Sequence, residues 1–297
     1  MEIYNLIDET IKKLNIKKAY LCYGEQYKSV YEKLIIGECK SPVEVLRVDN
    51  LTCEELKSYF DTLGKNDLII LIFPFHFSGS DGGSKHNYLM GLEKKGIYFI
   101  NISAGVEGVN LTHKTQELYN KLLFQIIEHS SQKSVAEKSK YYIDRLINGK
   151  KVRITDELGS NIEFIIELAL EDIIPLTPDR RVVQIPYGEV FVVPKRGSVN
   201  GKFVHKRRKG NYVYEIKDDF VTLDTPYYQG SYPICEIGFG TNWLIPSINA
   251  LPYLEKKYPT YHLGFGDNSN FGGSHQYSFH FDEVQDKVNW KMEILDE

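Results

Sequence analysis

Two imidazoles and two carboxylates crowd a glycine-rich stretch near the C-terminus. His262 and Asp267 lie in Tyr261-His262-Leu263-Gly264-Phe265-Gly266-Asp267-Asn268, and His280 and Asp282 in His280-Phe281-Asp282. Residues two apart on a strand project to one face, so His280 and Asp282 are presented together. Two more carboxylates interrupt apolar strands: Glu189 in Pro186-Tyr187-Gly188-Glu189-Val190-Phe191, and Glu236 in Ile234-Cys235-Glu236-Ile237-Gly238. A carboxylate among such neighbours is costly to desolvate unless it is paired or bound to a cation. Taken singly, each glutamate also reads as a strand-edge group facing water, and a lone histidine is usually no ligand. The set carries the reading: imidazole nitrogens and carboxylate oxygens from several strands can hold a divalent cation, and a cation-bound water is a hydrolytic nucleophile.

The elements that must position these residues divide the chain near residue 148. Before it, helical and extended patterns alternate. Leu6, Ile7, Ile11 and Leu14 have helical spacing, Ala19–Tyr23 and Val43–Val48 read as strands, and a helix follows Gly24-Glu25 through Leu34. Thr52-Cys53-Glu54-Glu55 has the pattern of a helix capping box. Asp67–Phe73 is apolar without alternation, the signature of a strand buried on both faces in a parallel sheet. A polar loop over Ser78–Ser84, a helix around Tyr88–Lys94 and the strand Ile97–Asn101 complete a βαβ pattern, so residues 1–148 are expected to form an α/β domain with an open, mostly parallel sheet. His76 and His86 fall where such sheets bind ligands, at the carboxyl ends of strands. Gly79 and Asp81-Gly82-Gly83 do not make a nucleotide fingerprint, and no helix is expected to start directly after them. A polar helix over Glu137–Leu146 ends at Asn148-Gly149-Lys150. From there to residue 297 short strands and glycine turns predict a β-rich α+β domain that carries the metal-binding and catalytic residues.

Composition excludes several classes. A net charge of -4 and a pI near 6.1 leave no broad basic surface for nucleic acid. The one dense basic run, Lys206-Arg207-Arg208-Lys209, reads as a solvated hairpin tip. No stretch reaches the roughly 18 apolar residues of a membrane span, and the acidic start of the chain is unlike a signal peptide. Cys22, Cys39, Cys53 and Cys235 lack CxxC spacing, which fits reduced thiols in the cytoplasm.

Several blocks in order resemble one known family. They are Pro186–Pro194 with Gly197–Gly201, Glu236–Asn242, Glu255-Lys256 ahead of Thr260–Asn268, Gly272-Gly273, and His280–Asp282. Over roughly residues 150 to 284 the chain is similar to the aminopeptidase T family of metallopeptidases (M29-type), in its archaeal and anaerobe branch. The resemblance implies two neighbouring divalent cations, zinc, cobalt or manganese, held by Glu189, Glu236, His262, His280 and Asp282, with Glu189 and Glu236 also catalytic. It implies hydrolysis of an N-terminal peptide bond or related amide in a small substrate, by a homodimer. Ser269 stands where the thermophilic peptidases of the family carry a tyrosine, and Gly159-Ser160-Asn161 where GTD is usual. His275, Tyr187 and Tyr277 are the candidate substrate-binding residues. The iron-dependent ring-cleaving dioxygenases of the 2,5-dihydroxypyridine type share the family's fold; in that reading His262, His280 and Asp282 hold a single Fe(II). A biosynthetic amide-bond enzyme is a third reading.

Overall fold

The computed structural model describes residues 3–25, 28, 39–73, 82–92, 95–103, 133–172, 176–178, 180–207, 210–224, 229–243, 245, 257–285 and 288–295. The chain divides into two compact units: Met1–Lys133, Ile173–Tyr187 and Asn249–Leu254 form one, and Ser134–Asp172, Gly188–Ile248 and Glu255–Glu297 the other.

The first unit contains α1 (Ile3–Lys13), β1 (Ala19–Tyr23), β2 (Glu44–Arg47), α2 (Cys53–Phe60), β3 (Leu68–Phe73), α3 (Gly82–Leu92) and β4 (Tyr98–Ser103). Its sheet has the order β2-β1-β3-β4 and is parallel throughout. Both faces of β3 are covered, as its unbroken apolar run requires: Ile69 and Leu71 join a core with Leu56, Phe60 and Leu89, while Leu68, Ile70 and Ile72 on the other face are also buried. The capping box at α2 forms in full, with Thr52 Oγ1 accepting from the Glu55 N–H at 3.2 Å and Glu55 Oε2 from the Thr52 N–H at 2.7 Å. One local expectation is corrected: α3 begins at Gly82, inside the Asp81-Gly82-Gly83 run. Glycine costs a helix backbone entropy, not a hydrogen bond, so two glycines weaken the first turn without preventing it. The helix after Gly24-Glu25 falls mostly outside the described residues.

The second unit contains α4 (Lys133–Ile143), β5 (Lys151–Asp156), β6 (Asn161–Glu171), β8 (Glu189–Pro194), β9 (Asn200–Arg207), β10 (Gly210–Lys217), β11 (Phe220–Asp224), β12 (Gln229–Gly240), β13 (Tyr261–Gly266), β14 (His280–Val284) and β15 (Trp290–Leu295). Between β6 and β8, the short β7 (Val182–Ile185) belongs to the first unit and adds to its sheet beside β4, again parallel. The ten strands of the second unit pair antiparallel, with β8 beside β12 and β6. The chain is thus an α/β unit with a parallel sheet and a β-rich unit built on a large antiparallel sheet. The basic run lies on the β9–β10 hairpin, where Arg207 pairs with Gly210; Arg208 and Lys209 are outside the described residues.

Strand alternation decides which face does what. Val190 and Val192 on β8, Ile237 and Phe239 on β12, and Tyr261, Leu263 and Phe265 on β13 point into one buried core. The intervening residues of these strands face the other way, and they are the candidate site. A register shift between Ile234 and Glu236 marks a β-bulge at Cys235. Without it Ile234 and Glu236 would share a face; with it Ile234 enters the core and Glu236 turns to the site. Among the described residues no helix is long and apolar enough to cross a membrane. None of the four cysteines is in a disulfide.

Candidate metal centre

The strands β8, β12, β13 and β14 lie side by side, and their ladder sets each candidate ligand opposite a glycine. Glu189 faces Gly240, His262 faces Gly238, Glu236 and Asp282 flank Gly264 from either side, and His280 faces Gly266. Directly opposed side chains on a sheet stand only about 5 Å apart, so a glycine in each such position leaves room for side chains to converge. A Cβ on Gly238 would overlap the His262 imidazole. One on Gly264 would crowd Glu236 and stand 3.1 Å from both Asp282 Oδ1 and His280 Cε1.

The five residues named from sequence come together as two triads that share Glu236. In the inner triad, His262 Nε2 lies 3.1 Å from Glu189 Oε1 and 3.2 Å from Glu236 Oε1, and all three side chains are buried. In the outer triad, His280 Nε2 lies 3.1 Å from Asp282 Oδ1 and 3.7 Å from Glu236 Oε2. His280 and Asp282 are 24% and 19% exposed, so solvent reaches the cluster from this side.

The His280 ring is oriented by its other nitrogen. Nδ1 donates to the Asp267 carbonyl at 2.8 Å, which leaves Nε2, when unprotonated, with its lone pair toward the carboxylates. Asp267 thus serves through its backbone, while its carboxylate turns away to accept from Ser269 Oγ and the Tyr277 N–H. Cys235 Sγ lies 3.6 Å from the same Nδ1, and burial raises its pKa, with His280 partly opposing.

Three carboxylates this close need positive charge among them. From the protein's own groups it comes as the Lys257 ammonium beside Glu189 and as protons on the two imidazoles. Burial disfavours the charged form of His262, but hydrogen bonds to Glu189 and Glu236 outweigh it and raise the pKa to about 9. His280 follows the same pattern: burial pushes it down, Asp282 and Cys235 pull it up further, and it reaches about 11. An oxygen-and-imidazole donor set, a glycine-lined hollow and an excess of negative charge together fit a divalent cation.

Two residues that the sequence reading missed complete the inner triad. Lys257, 1% exposed, donates to Glu189 Oε2 at 2.9 Å and is ion-paired with Asp172. Asp172 Oδ1 also accepts the N–H groups of Gly188 at 2.9 Å and Glu189 at 3.0 Å. No spacing signal marks either, and Lys256, noted in the family-like block, is outside the described residues.

The substrate-side candidates are scattered. His275 is buried, with Nε2 3.5 Å from Asp219 Oδ2 and its ring edge-on to Phe220. Tyr277 is 38% exposed and packs edge-on to Phe279. Tyr187 is buried and closes the last described segment of the first unit. His76 lies outside the described residues, and of His86 only its place in α3 is described. Beside the outer triad, Phe271 meets His280 edge-on at 5.8 Å and Phe191 at 5.3 Å.

Fold and site define an α/β unit joined to an antiparallel β-rich unit that carries a shared carboxylate–histidine cluster. Two solved structures are among those that share this fold. Wild-type AmpT from Thermus thermophilus matches with a TM-score of 0.60 at 12% identity, over 99% of this chain and 94% of its own. The 2,5-dihydroxypyridine dioxygenase of Pseudomonas putida KT2440 matches with a TM-score of 0.56 at 11% identity, over 97% and 93%. No family model and no curated protein matches the sequence.

Proposed function

We propose that the protein is a metal-dependent hydrolase of the aminopeptidase T kind, cleaving N-terminal peptide bonds or related amides of small substrates. The observation that carries this reading is the pair of triads meeting at Glu236. Glu189, Glu236, His262, His280 and Asp282 hold two divalent cations, for which zinc, cobalt and manganese all suit the donor set. When bound, such ions polarise a carbonyl and lower the pKa of water.

The chain's own residues do the rest. The inner triad holds Glu189 and Glu236 buried beside His262, and both carboxylates take part in catalysis. The partly exposed His280 and Asp282 mark the side from which substrate enters, past Phe271 and Phe191. The Ser269 hydroxyl is engaged by Asp267 and supplies no phenol; Tyr277 or Tyr187 takes the tyrosine role of the thermophilic peptidases, with His275 a further substrate-side residue. By the same family resemblance the enzyme works as a homodimer, and the spacing of its four cysteines fits reduced thiols in the cytoplasm.

The test is to strip the full chain with chelator, reload it with single metals, and measure ion content and amine release from aminoacyl anilides. Two ions per chain with metal-dependent amine release support the hydrolase. A single iron with oxygen uptake on a dihydroxypyridine replaces it with the ring-cleaving dioxygenase. Failure to bind any cation overturns both.

A further inference from the structure

The β-bulge that turns Glu236 to the site is held from outside its own ladder. Cys235 is the residue left out of the β12–β13 register, and a residue so placed loses its regular strand partner. Its carbonyl accepts instead from Asn268 Nδ2 at 2.9 Å. The same side-chain amide accepts through Oδ1 from the His275 N–H at 2.9 Å, and Asn268 is 1% exposed. The Asn268 backbone closes the turn around it: its N–H donates to the His275 carbonyl, and its carbonyl accepts from the N–H groups of Phe271 and Gly273. A Cβ on Gly273 would overlap Cγ, Oδ1 and Nδ2 of Asn268, so the amide occupies the space that this glycine leaves. One residue earlier, the Asp267 carbonyl receives His280 Nδ1. The connection from β13 to β14 thus grips β12 at the bulge through one buried side chain. Only a primary amide suits both partners, because a backbone carbonyl needs a donor and a backbone N–H an acceptor, and Asn carries one of each on a single planar group.

We propose that Asn268 is a positioning residue for Glu236: it locks the bulge at Cys235 and so holds the carboxylate common to both triads toward the cations. With the lock gone, the bulge is free to relax toward a regular register, in which Ile234 and Glu236 share a face and Glu236 leaves the site. The assignment rests on the metal-binding reading above.

Two variants remove the lock by different routes. Asn268→Leu keeps the branched shape and loses both hydrogen bonds. Gly273→Ala keeps the amide but pushes it aside, at a residue whose φ is not in the left-handed region. Each is expected to weaken both ions by on the order of tenfold to a hundredfold, as loss of a group that orients a ligand does. Tyr261→Phe, which removes a hydrogen bond on the core side of β13, is the comparison for lowered stability alone. The experiment is titration of the chelator-stripped full chain with Co²⁺ alone, followed by visible absorption, which reports affinity and ligand geometry together, beside thermal melts. Two ions in the wild type and in Tyr261→Phe, with both ions weakened and the spectrum altered in Asn268→Leu and Gly273→Ala, supports the assignment. Wild-type affinities and spectrum in a folded Asn268→Leu chain, weakening of one ion only, or equal losses in Tyr261→Phe overturns it and leaves the metal site intact. If Asn268→Leu does not fold, Gly273→Ala decides by the same readings. No Co²⁺ bound by the wild type, or a titration unaltered by Glu236→Ala, refutes the metal-binding reading and the assignment built on it.

Discussion

His262 stands directly across the ladder from Gly238, and the side chain that Gly238 lacks is the space its imidazole fills. The backbone at Gly238 is not in the left-handed region, so alanine meets no conformational penalty, only the ring. Gly238→Ala is therefore expected to displace His262, cost about 1–3 kcal/mol through overpacking, and lower cation content. Denaturant unfolding and metal analysis check it; full metal loading at unchanged stability would mean that the ring is placed by something else.

Glu236 alone belongs to both triads. Glu236→Gln is expected to weaken both ions, Glu189→Gln to weaken one, and Asp282→Asn to weaken the other. Ion counts per chain distinguish the three variants. If Glu236→Gln and Glu189→Gln gave the same count, Glu236 would not be shared.

Much of this site was readable from the sequence for a simple reason. Glu236-x-Gly238-x-Gly240 and His262-x-Gly264-x-Gly266 put a ligand and two glycines on the same face of a strand, and His280-x-Asp282 puts two ligands on one. The alternation reports the face, and the glycines report that something must fit there. The unbroken run Leu68–Phe73 announced the parallel sheet in the same local way. Lys257 and Asp172 carry no such periodicity, since their contact joins residues 85 apart through the approach to β13. Val182–Ile185 is likewise four residues whose choice of sheet depends on a remote partner, β4, and not on its own composition. The bulge at Cys235 is invisible for a related reason: the register shift is a property of two strands together.

Behind the site, β13 is anchored from its core side. Tyr261 Oη donates to Asp156 Oδ2 at 2.7 Å, and Gln285 Nε2 donates to the same oxygen at 2.7 Å. Burial would raise the Asp156 pKa, but these bonds and those from Ser160 hold it below the ordinary value. Tyr261→Phe is expected to cost about 1.5–3 kcal/mol, the value of a hydrogen bond to a charged acceptor, with cation stoichiometry unchanged because His262 faces the other way. A melt and an ion count on the same preparation check both halves.

The two histidines give the stability of the chelated protein a pH dependence that a bound cation removes. Both have folded pKa values above the ordinary 6.5, about 9 for His262 and about 11 for His280. A raised imidazole pKa contributes stability that is complete below 6.5 and is lost as pH rises through the folded value. The chelated protein is therefore expected to lose stability between pH 6.5 and 9 as the His262 proton weakens, and further toward 11. A bound cation needs both Nε2 atoms unprotonated, so protons compete with it and its affinity climbs over the same range. The rise in Tm on adding a saturating divalent cation should accordingly grow from pH 6.5 to pH 9. Thermal melts with and without cation, at fixed ionic strength, measure that difference. A cation-induced rise that stays constant or shrinks with pH would show that these imidazoles do not give up protons when the ion binds.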